Sequence, residues 1–416
     1  MQKIENEDYS EVRKGHPSAF LLENQSNEYK KMHFVRKILL FLYNLVFFLI
    51  ALVSSFFYVP LIYVLFYAIE ILPMPKKTRS SANACLKLFS HEMFLAFFSF
   101  LFPNEIYIAQ DTKICDKNKG IVISNHLCDF DWLILSHYQY TINKLPYLFI
   151  VMKESLSKLP FFGYIMKRMG HVFIRQAGSR NSSNSQPIET LVRSSNAVNY
   201  MEKGFILIFP EGTYQYDAAC ERSKDYLEKN TYVFDDKPYT CSNVLTPKEN
   251  GFKTIYDSFS TSEGIINLTV MTNPFIKRLD EIKSILKHML FGSREFNFVV
   301  IADFIPKNEV PKSPRYLQGI FCQKDKLISK FEEINNEKLD GHSDLYKMTS
   351  TQDLKSFLTE NSPNTEYEYK SIRFYTPFWP CFVLLSFLFY LSVYKTAQLL
   401  AINLFYAIGP LRILNY

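Results

Sequence analysis

The hydrophobic positions of this chain fall into distinct regimes. Residues 1 to 31 are polar and mixed in charge, with no apolar period; they are expected to form a flexible tail with no secretory leader. After Arg36 and Lys37 the pattern turns apolar and runs from Ile38 to Ile69 without a charge. That exceeds the roughly 20 residues one membrane span needs. Pro60 interrupts the run, so it reads either as one long tilted span or as a hairpin that enters the membrane and returns. Basic residues flank both ends (Lys30, Lys31, Arg36 and Lys37 before; Lys76, Lys77 and Arg79 after). They favour the hairpin, with both ends cytosolic. A second apolar block covers Phe374 to Tyr394 and resumes after Lys395 from Thr396 to Pro410. Its first half is long enough to span; its second lies in the interface or returns. The expected organisation is a tail over 1–31, a membrane helix or hairpin over 32–75, a central domain over 80–335, a polar linker over 336–370 that is partly disordered, and C-terminal membrane segments over 371–416.

Between Cys115 and Phe304 the apolar runs shorten and become rich in β-branched and aromatic residues. Gly120–Ser124 (GIVIS), His171–Ile174 (HVFI), Phe205–Phe209 (FILIF), Ile266–Met271 (INLTVM) and Phe296–Phe304 (FNFVVIADF) predict strands. Trp132–Tyr140 and Ile188–Lys203 have helical character, as do Ser223–Lys229 and the amphipathic Gln323–Asn335. Strands alternating with helices predict an α/β domain. The unbroken apolar character of FILIF predicts a strand buried on both faces. Gln176–Gln186 (QAGSRNSSNSQ) is small and polar, a mobile loop.

Composition sharpens this picture in three places. Aromatics make up 16% of the 416 residues, with 38 Phe and 27 Tyr, which suits a chain partly embedded in lipid. The net charge of +6 is modest and dispersed, which argues against a nucleic-acid footprint and fits an anionic lipid surface. The seven cysteines form no C-x-x-C pair; neither a disulfide framework nor a zinc site is expected, and no metal or resident cofactor is.

Candidate chemistry sits where the predicted strands end, the place where α/β sheets gather function. GIVIS runs into Asn125-His126, FILIF into Pro210-Glu211-Gly212-Thr213, and HVFI into Arg175. A neutral imidazole at His126 is a candidate general base, and a carboxylate on its other ring nitrogen would fix the tautomer. Asp131 lies five residues on. In one ideal helix that spacing does not bring the two together, so a turn is expected between them, with the helix starting near Asp129 or Asp131. Asp129 alternatively caps that helix. Gly212 permits a tight turn, and Thr213 can cap a helix or bind an oxyanion. Arg175 can take a phosphate through two N–H groups. Cys128 beside the helix start reads as a packed thiol rather than a nucleophile. His91, His137 and His171 show no metal-ligand spacing. No G-x-S-x-G elbow supports a hydrolase.

Taken in order, Asn125-His126-xxxx-Asp131, Lys153–Gly163 (KESLSKLPFFG), Gly170–Arg175 (GHVFIR) and Phe209-Pro210-Glu211-Gly212-Thr213 resemble the glycerolipid acyltransferase family that includes 1-acylglycerol-3-phosphate acyltransferases. Glu221–Asn230 (ERSKDYLEKN), Asn243–Phe252 (NVLTPKENGF), INLTVM and QKDKLISKFEE look like its eukaryotic branch of lysocardiolipin, lysophosphatidylinositol and long-chain lysophosphatidate acyltransferases. The resemblance covers about residues 110 to 335. It implies an acyltransferase-type mixed sheet with flanking helices. It also implies acyl-CoA as co-substrate, a lysophospholipid as acceptor, and a bilayer as partner. The expected location is the endoplasmic reticulum membrane with the catalytic domain facing the cytosol. Carried over residue by residue, His126 is the base, Asp131 its orienter, and Glu211 and Gly212 the acceptor-binding motif. Phe161 and Phe162 are expected to line an apolar groove with the N-terminal hairpin. Two departures stand out. The family's second block ends in an arginine where this chain has Gln176, which leaves Arg175 or Arg180 to replace it. Asn267 stands where the branch often has Asp.

Overall fold

The computed structural model describes residues 60–101, 105–128, 131–159, 162–175, 185–234, 236–273, 297–311, 315–337 and 350–373, with a few isolated positions besides. The predicted C-terminal membrane segments, most of the N-terminal apolar run, Asp129, Phe161, Gln176 and Arg180 lie outside these residues.

The main sheet is built from β1 (Glu105–Asp111), β2 (Lys119–Ser124), β3 (Leu148–Lys153), β4 (Val172–Ile174), β5 (Gly204–Ile208), β8 (Gly264–Asn273), β9 (Asn297–Pro306) and β10 (Tyr367–Arg373); β6 (Val233–Phe234) and β7 (Lys237–Pro238) form a separate small hairpin. The strand order is β10-β1-β9-β8-β2-β5-β3-β4. Pairing is parallel across β1–β9, β2–β8, β2–β5, β3–β5 and β3–β4, and antiparallel only for β8–β9 and β1–β10. The sheet is therefore mixed and dominated by parallel pairs.

Strands of such a sheet are covered on both faces, which is why they read as continuous apolar runs. Successive residues divide between two cores in the period of two that a strand imposes. Val122, Phe205, Leu207, Ile266 and Leu268 join one cluster with Leu86, Leu133, Leu135 and Ile165. That layer contains α1 (Lys76–Leu101), α2 (Asp131–Thr141) and α3 (Phe162–Arg168). Ile121, Ile123, Ile206, Ile208 and Ile265 join the other with Leu191, Phe252, Ile255, Phe321 and Phe357. That layer contains α4 (Ser185–Asn199), α6 (Glu249–Ser258), α7 (Tyr316–Glu337) and α8 (Thr351–Asn361). A further helix, α5 (Asp217–Lys229), follows the β5 turn.

The expected linker needs correction. Residues 336 to 370, expected as a polar linker, carry α8 and β10 where they are described. Ser350 and Asp353 close a capping box at the start of α8. β10 pairs along the full length of β1 and looks polar because it is an edge strand, with Glu368 and Lys370 paired at 3.0 Å. Within the Lys153–Gly163 motif, Glu154–Lys158 forms a 3₁₀ turn, and α3 begins at Phe162. β1 and β3 had no counterpart among the predicted strands.

The apolar N-terminal run enters the description as a helical segment over residues 60–71. Ile62 and Phe66 are buried in the core, and Tyr63 packs its ring on Tyr164 of α3 at 4.4 Å. Arg168 pairs with Glu70 across the same contact. The other side of the segment exposes Leu61, Val64, Leu65, Ile71 and Leu72. Among the described residues no helix is long and apolar enough to cross a membrane.

Three buried histidines make the fold acid-sensitive. Burial lowers His91 to about 3, with Lys87 adding repulsion, lowers His137 to about 3 despite a hydrogen bond to Leu95, and pushes His171 well below its ordinary value. Their folded pKa values lie below the unfolded value near 6.5, so between about pH 3 and 6.5 the unfolded chain binds protons that the native chain refuses. The stability is fully present above that range and falls as pH drops, by up to about 1.4 kcal/mol per pH unit per histidine. Thermal unfolding is expected at a clearly lower temperature at pH 5.5 than at pH 7.5, with a smaller drop in a His91→Leu variant. Parallel drops would show that His91 carries none of the effect.

Candidate active site

The parallel pairing of β2 with β5, with Ile123 opposite Ile208, sets the two strand ends side by side. Asn125 leaves β2 and extends the sheet with its side chain: its Nδ2 donates to Val270 O and its Oδ1 accepts from Val270 N, both at 2.8 Å. This amide clasp to β8 fixes where the chain turns, and the next residue, His126, emerges at the strand end.

His126 Nδ1 lies 2.9 Å from Asp131 Oδ2, with 16% of the His126 side chain exposed and none of the Asp131 side chain. The five-residue separation works because the chain turns between strand and helix. Asp131 opens α2 and its carboxylate reaches back over that turn. It accepts the amide of Leu127, and that of Cys128 at 3.1 Å. One carboxylate therefore organises the helix start and orients the imidazole, two roles that the sequence divided between Asp129 and Asp131. The Nδ1–H tautomer that Asp131 favours leaves the Nε2 lone pair available to take a proton. Phe209 stacks on the imidazole at 4.5 Å between centroids, and Tyr214 meets it edge-on at 5.9 Å.

Cys128 is packed, as expected. Its S–H donates to Asp131 Oδ1 at 3.2 Å and the residue is 8% exposed, so the thiol serves the carboxylate rather than a substrate.

Glu211 sits across from His126 but faces inward. Its Oε1 accepts the His126 amide and its Oε2 the Leu245 amide, each at 3.0 Å, and the residue is 2% exposed. Burial pushes its carboxyl up to about 8; the amides of Leu245 and His126 draw it back, as does the buried Lys324 ammonium. Both carboxyl oxygens are thus committed to the protein's own backbone, whereas the resemblance implies contact with the lipid acceptor. Gly212 and Thr213 are partly exposed in the turn beyond it, with Gly212 at φ +74°.

Arg175 lies at the same end of the sheet, but β3 separates its strand from β5. Its Nε donates to Glu154 Oε2 at 2.6 Å. That carboxylate, by hydrogen bond and charge, raises the Arg175 guanidinium, and Arg175 lowers Glu154. Phe162 opens α3. Among the described residues no group of His, Cys, Asp and Glu could hold a metal ion.

The family model described as Acyltransferase matches residues 105–256, the span that contains His126, Asp131 and Glu211. The chain carries an acyltransferase-family domain. This domain is similar to lysocardiolipin acyltransferase 1 of Gallus gallus, 26% identical over 236 residues, which are 55% of this chain and 57% of that protein. It is also similar to the 2-acyl-1-lysophosphatidylinositol acyltransferase of Saccharomyces cerevisiae, 22% identical over 183 residues, which are 37% of this chain and 45% of that protein. Among solved structures it is similar to the 1-acyl-sn-glycerophosphate acyltransferase PlsC of Thermotoga maritima, with a TM-score of 0.40, 16% identity, and coverage of 74% of this chain and 98% of that one. The acyltransferase match spans about half the length of the curated relatives.

Proposed function

We propose that this chain transfers an acyl group from acyl-CoA to a free hydroxyl of an anionic lysophospholipid at a membrane surface. The observation that carries the reading is the His126–Asp131 pair, held at 2.9 Å at a strand end within the matched residues. His126 Nε2 accepts the hydroxyl proton as the acceptor oxygen attacks the thioester carbonyl. A C–O bond forms, the tetrahedral intermediate collapses, the C–S bond breaks, and the imidazolium returns the proton to the departing CoA sulfur. The protein forms no covalent intermediate, which agrees with the packed position of Cys128. Gly212 and Thr213, in the exposed turn beside the base, lie on the acceptor side.

The exposed apolar residues of the 60–71 segment support a lipid surface next to the domain, and the endoplasmic reticulum with a cytosolic face is the location proposed. Phe162 opens α3, the helix on which that segment packs, and an acyl chain is proposed to enter along this helix from the lipid.

Remodelling of a lysophosphatidylinositol-type lipid is favoured, because two of the relatives that the chain matches bear that name. The second reading within the class is acylation of 1-acylglycerol-3-phosphate to phosphatidic acid, which the name of another relative supports. A catalytically silent scaffold is the reading of another class, and the intact His126–Asp131 hydrogen bond speaks against it. The test is CoA release and ester formation by the purified full chain with oleoyl-CoA and a panel of lysophospholipids. Fastest turnover with lysophosphatidylinositol is expected. Fastest turnover with lysophosphatidate would favour the second reading, and no product with any acceptor would overturn the enzyme.

A further inference from the structure

The polar segment after α5 is held with unusual completeness. Asp325 of α7 accepts the amides of Ser242 at 3.2 Å, Asn243 at 2.5 Å and Val244 at 3.0 Å. The Leu245 amide donates to Glu211, the Thr246 amide to Ser223 Oγ at 2.8 Å, and the Lys248 amide to Pro210 O at 2.8 Å. Pro247 has no N–H. Every backbone donor from Ser242 to Lys248 is therefore satisfied, three by α7 and two by the Pro210-Glu211 corner of the active site.

This loop delivers one side chain to the site. A Cβ built on Gly212 would lie 2.9 Å from Lys248 Nζ and 3.4 Å from its Cδ and Cε. The Lys248 chain thus lies across the bare face of Gly212, in the turn whose Phe209 and Tyr214 flank the His126 ring. Lys248 is exposed, and among the described residues it has no carboxylate partner. Glycine is required at 212 for its positive φ and also leaves room for this chain.

Of the two arginines that the motif order offered for a phosphate, Arg180 lies outside the described residues, and Arg175 is at the far edge of the sheet and tied to Glu154 at 2.6 Å. Lys248 lies over the Gly212 turn next to the residues that flank the base, and among the described residues it has no ion-pair partner. We propose that Lys248 is the cation that binds a substrate phosphate in this site, in place of the arginine missing at Gln176. A lysine ammonium serves this role as a point charge that accepts any phosphate orientation. The assignment rests on the acyl-transfer reading, in which both the lysophospholipid and CoA carry phosphate.

The test uses the full chain in detergent micelles, with Lys248→Met and Lys248→Arg. Initial rates are measured with lysophosphatidylinositol or phosphate-free monooleoylglycerol as acceptor and oleoyl-CoA as donor. Loss of one charged hydrogen bond is expected to raise KM for lysophosphatidylinositol about ten- to a hundred-fold in Lys248→Met. Little change is expected in kcat or in monooleoylglycerol use, and Lys248→Arg should recover most of the loss. A rise in KM for oleoyl-CoA alone would assign the bound phosphate to the donor and sustain the role. Equilibrium binding of lysophosphatidylinositol and of oleoyl-CoA is measured alongside, so that the result does not depend on turnover. If the wild type transfers no acyl group yet binds either ligand more tightly than Lys248→Met, the acyl-transfer reading fails and the phosphate site stands. Equal KM values and equal binding in wild type and Lys248→Met would overturn it.

Discussion

Asp131→Asn is expected to lower kcat by about 10²- to 10⁴-fold while leaving the chain folded. The asparagine is isosteric, and its Oδ1 can still accept the Cys128 amide, while its Nδ2 takes the place of the oxygen that now accepts the Leu127 amide. That Nδ2 would also face His126 Nδ1 as a donor. The ring would then accept at Nδ1 and carry its proton at Nε2, the nitrogen that must take the proton from the acceptor hydroxyl. The expected signature is a large loss in kcat, little change in KM, and a moderately lower unfolding temperature, because the Leu127 amide loses its acceptor. A variant with wild-type kcat would show that the 2.9 Å contact does not set the working tautomer.

Glu211→Ala is expected to damage both stability and activity. It strands two buried amides, those of His126 and Leu245. Each unsatisfied donor costs about 1–3 kcal/mol, so the loss is roughly 2–6 kcal/mol. The first of those amides belongs to the base itself, and the second to the loop that carries Lys248. Turnover is therefore expected to fall well beyond what the folded fraction explains. Glu211→Gln keeps one carbonyl acceptor in the same shape and is expected to lose much less. Denaturant midpoints and kcat of the two variants check this together; an alanine variant as stable and active as wild type would mean that the carboxylate does not hold the corner.

The parts of this architecture that were legible in the sequence are those that local pattern encodes. Runs such as GIVIS and FILIF are apolar throughout because their strands are covered on both faces, and each runs directly into a polar strand end. β10 was illegible for the opposite reason. An edge strand needs no apolar run, and Tyr367–Arg373 owes its place to pairing with β1 across the whole domain. At the site, the His126–Asp131 pair could be anticipated with a turn between its members. The dual role of Asp131 could not, because it depends on amides that the turn aims at one carboxylate. Asn125 had a signal, a polar amide directly at a strand end, but its clasp joins residues 145 apart in the chain. The inward orientation of Glu211 and the anchoring of Asn243 by Asp325, 82 residues away, are likewise tertiary facts. Sequence order offered Arg175 or Arg180 as the phosphate partner, and the strand order separates Arg175 from the base.

The most direct test compares ester formation by purified wild-type and His126→Ala chains from oleoyl-CoA and lysophosphatidylinositol, at equal concentration and with unfolding temperatures matched. His126 packs on Phe209 and leaves part of its ring exposed, so the alanine variant is expected to stay folded. Its transfer rate is expected to fall by about 10²- to 10⁴-fold, the contribution of a positioned general base. Undiminished ester formation by folded His126→Ala protein would contradict the assignment of His126 as the base.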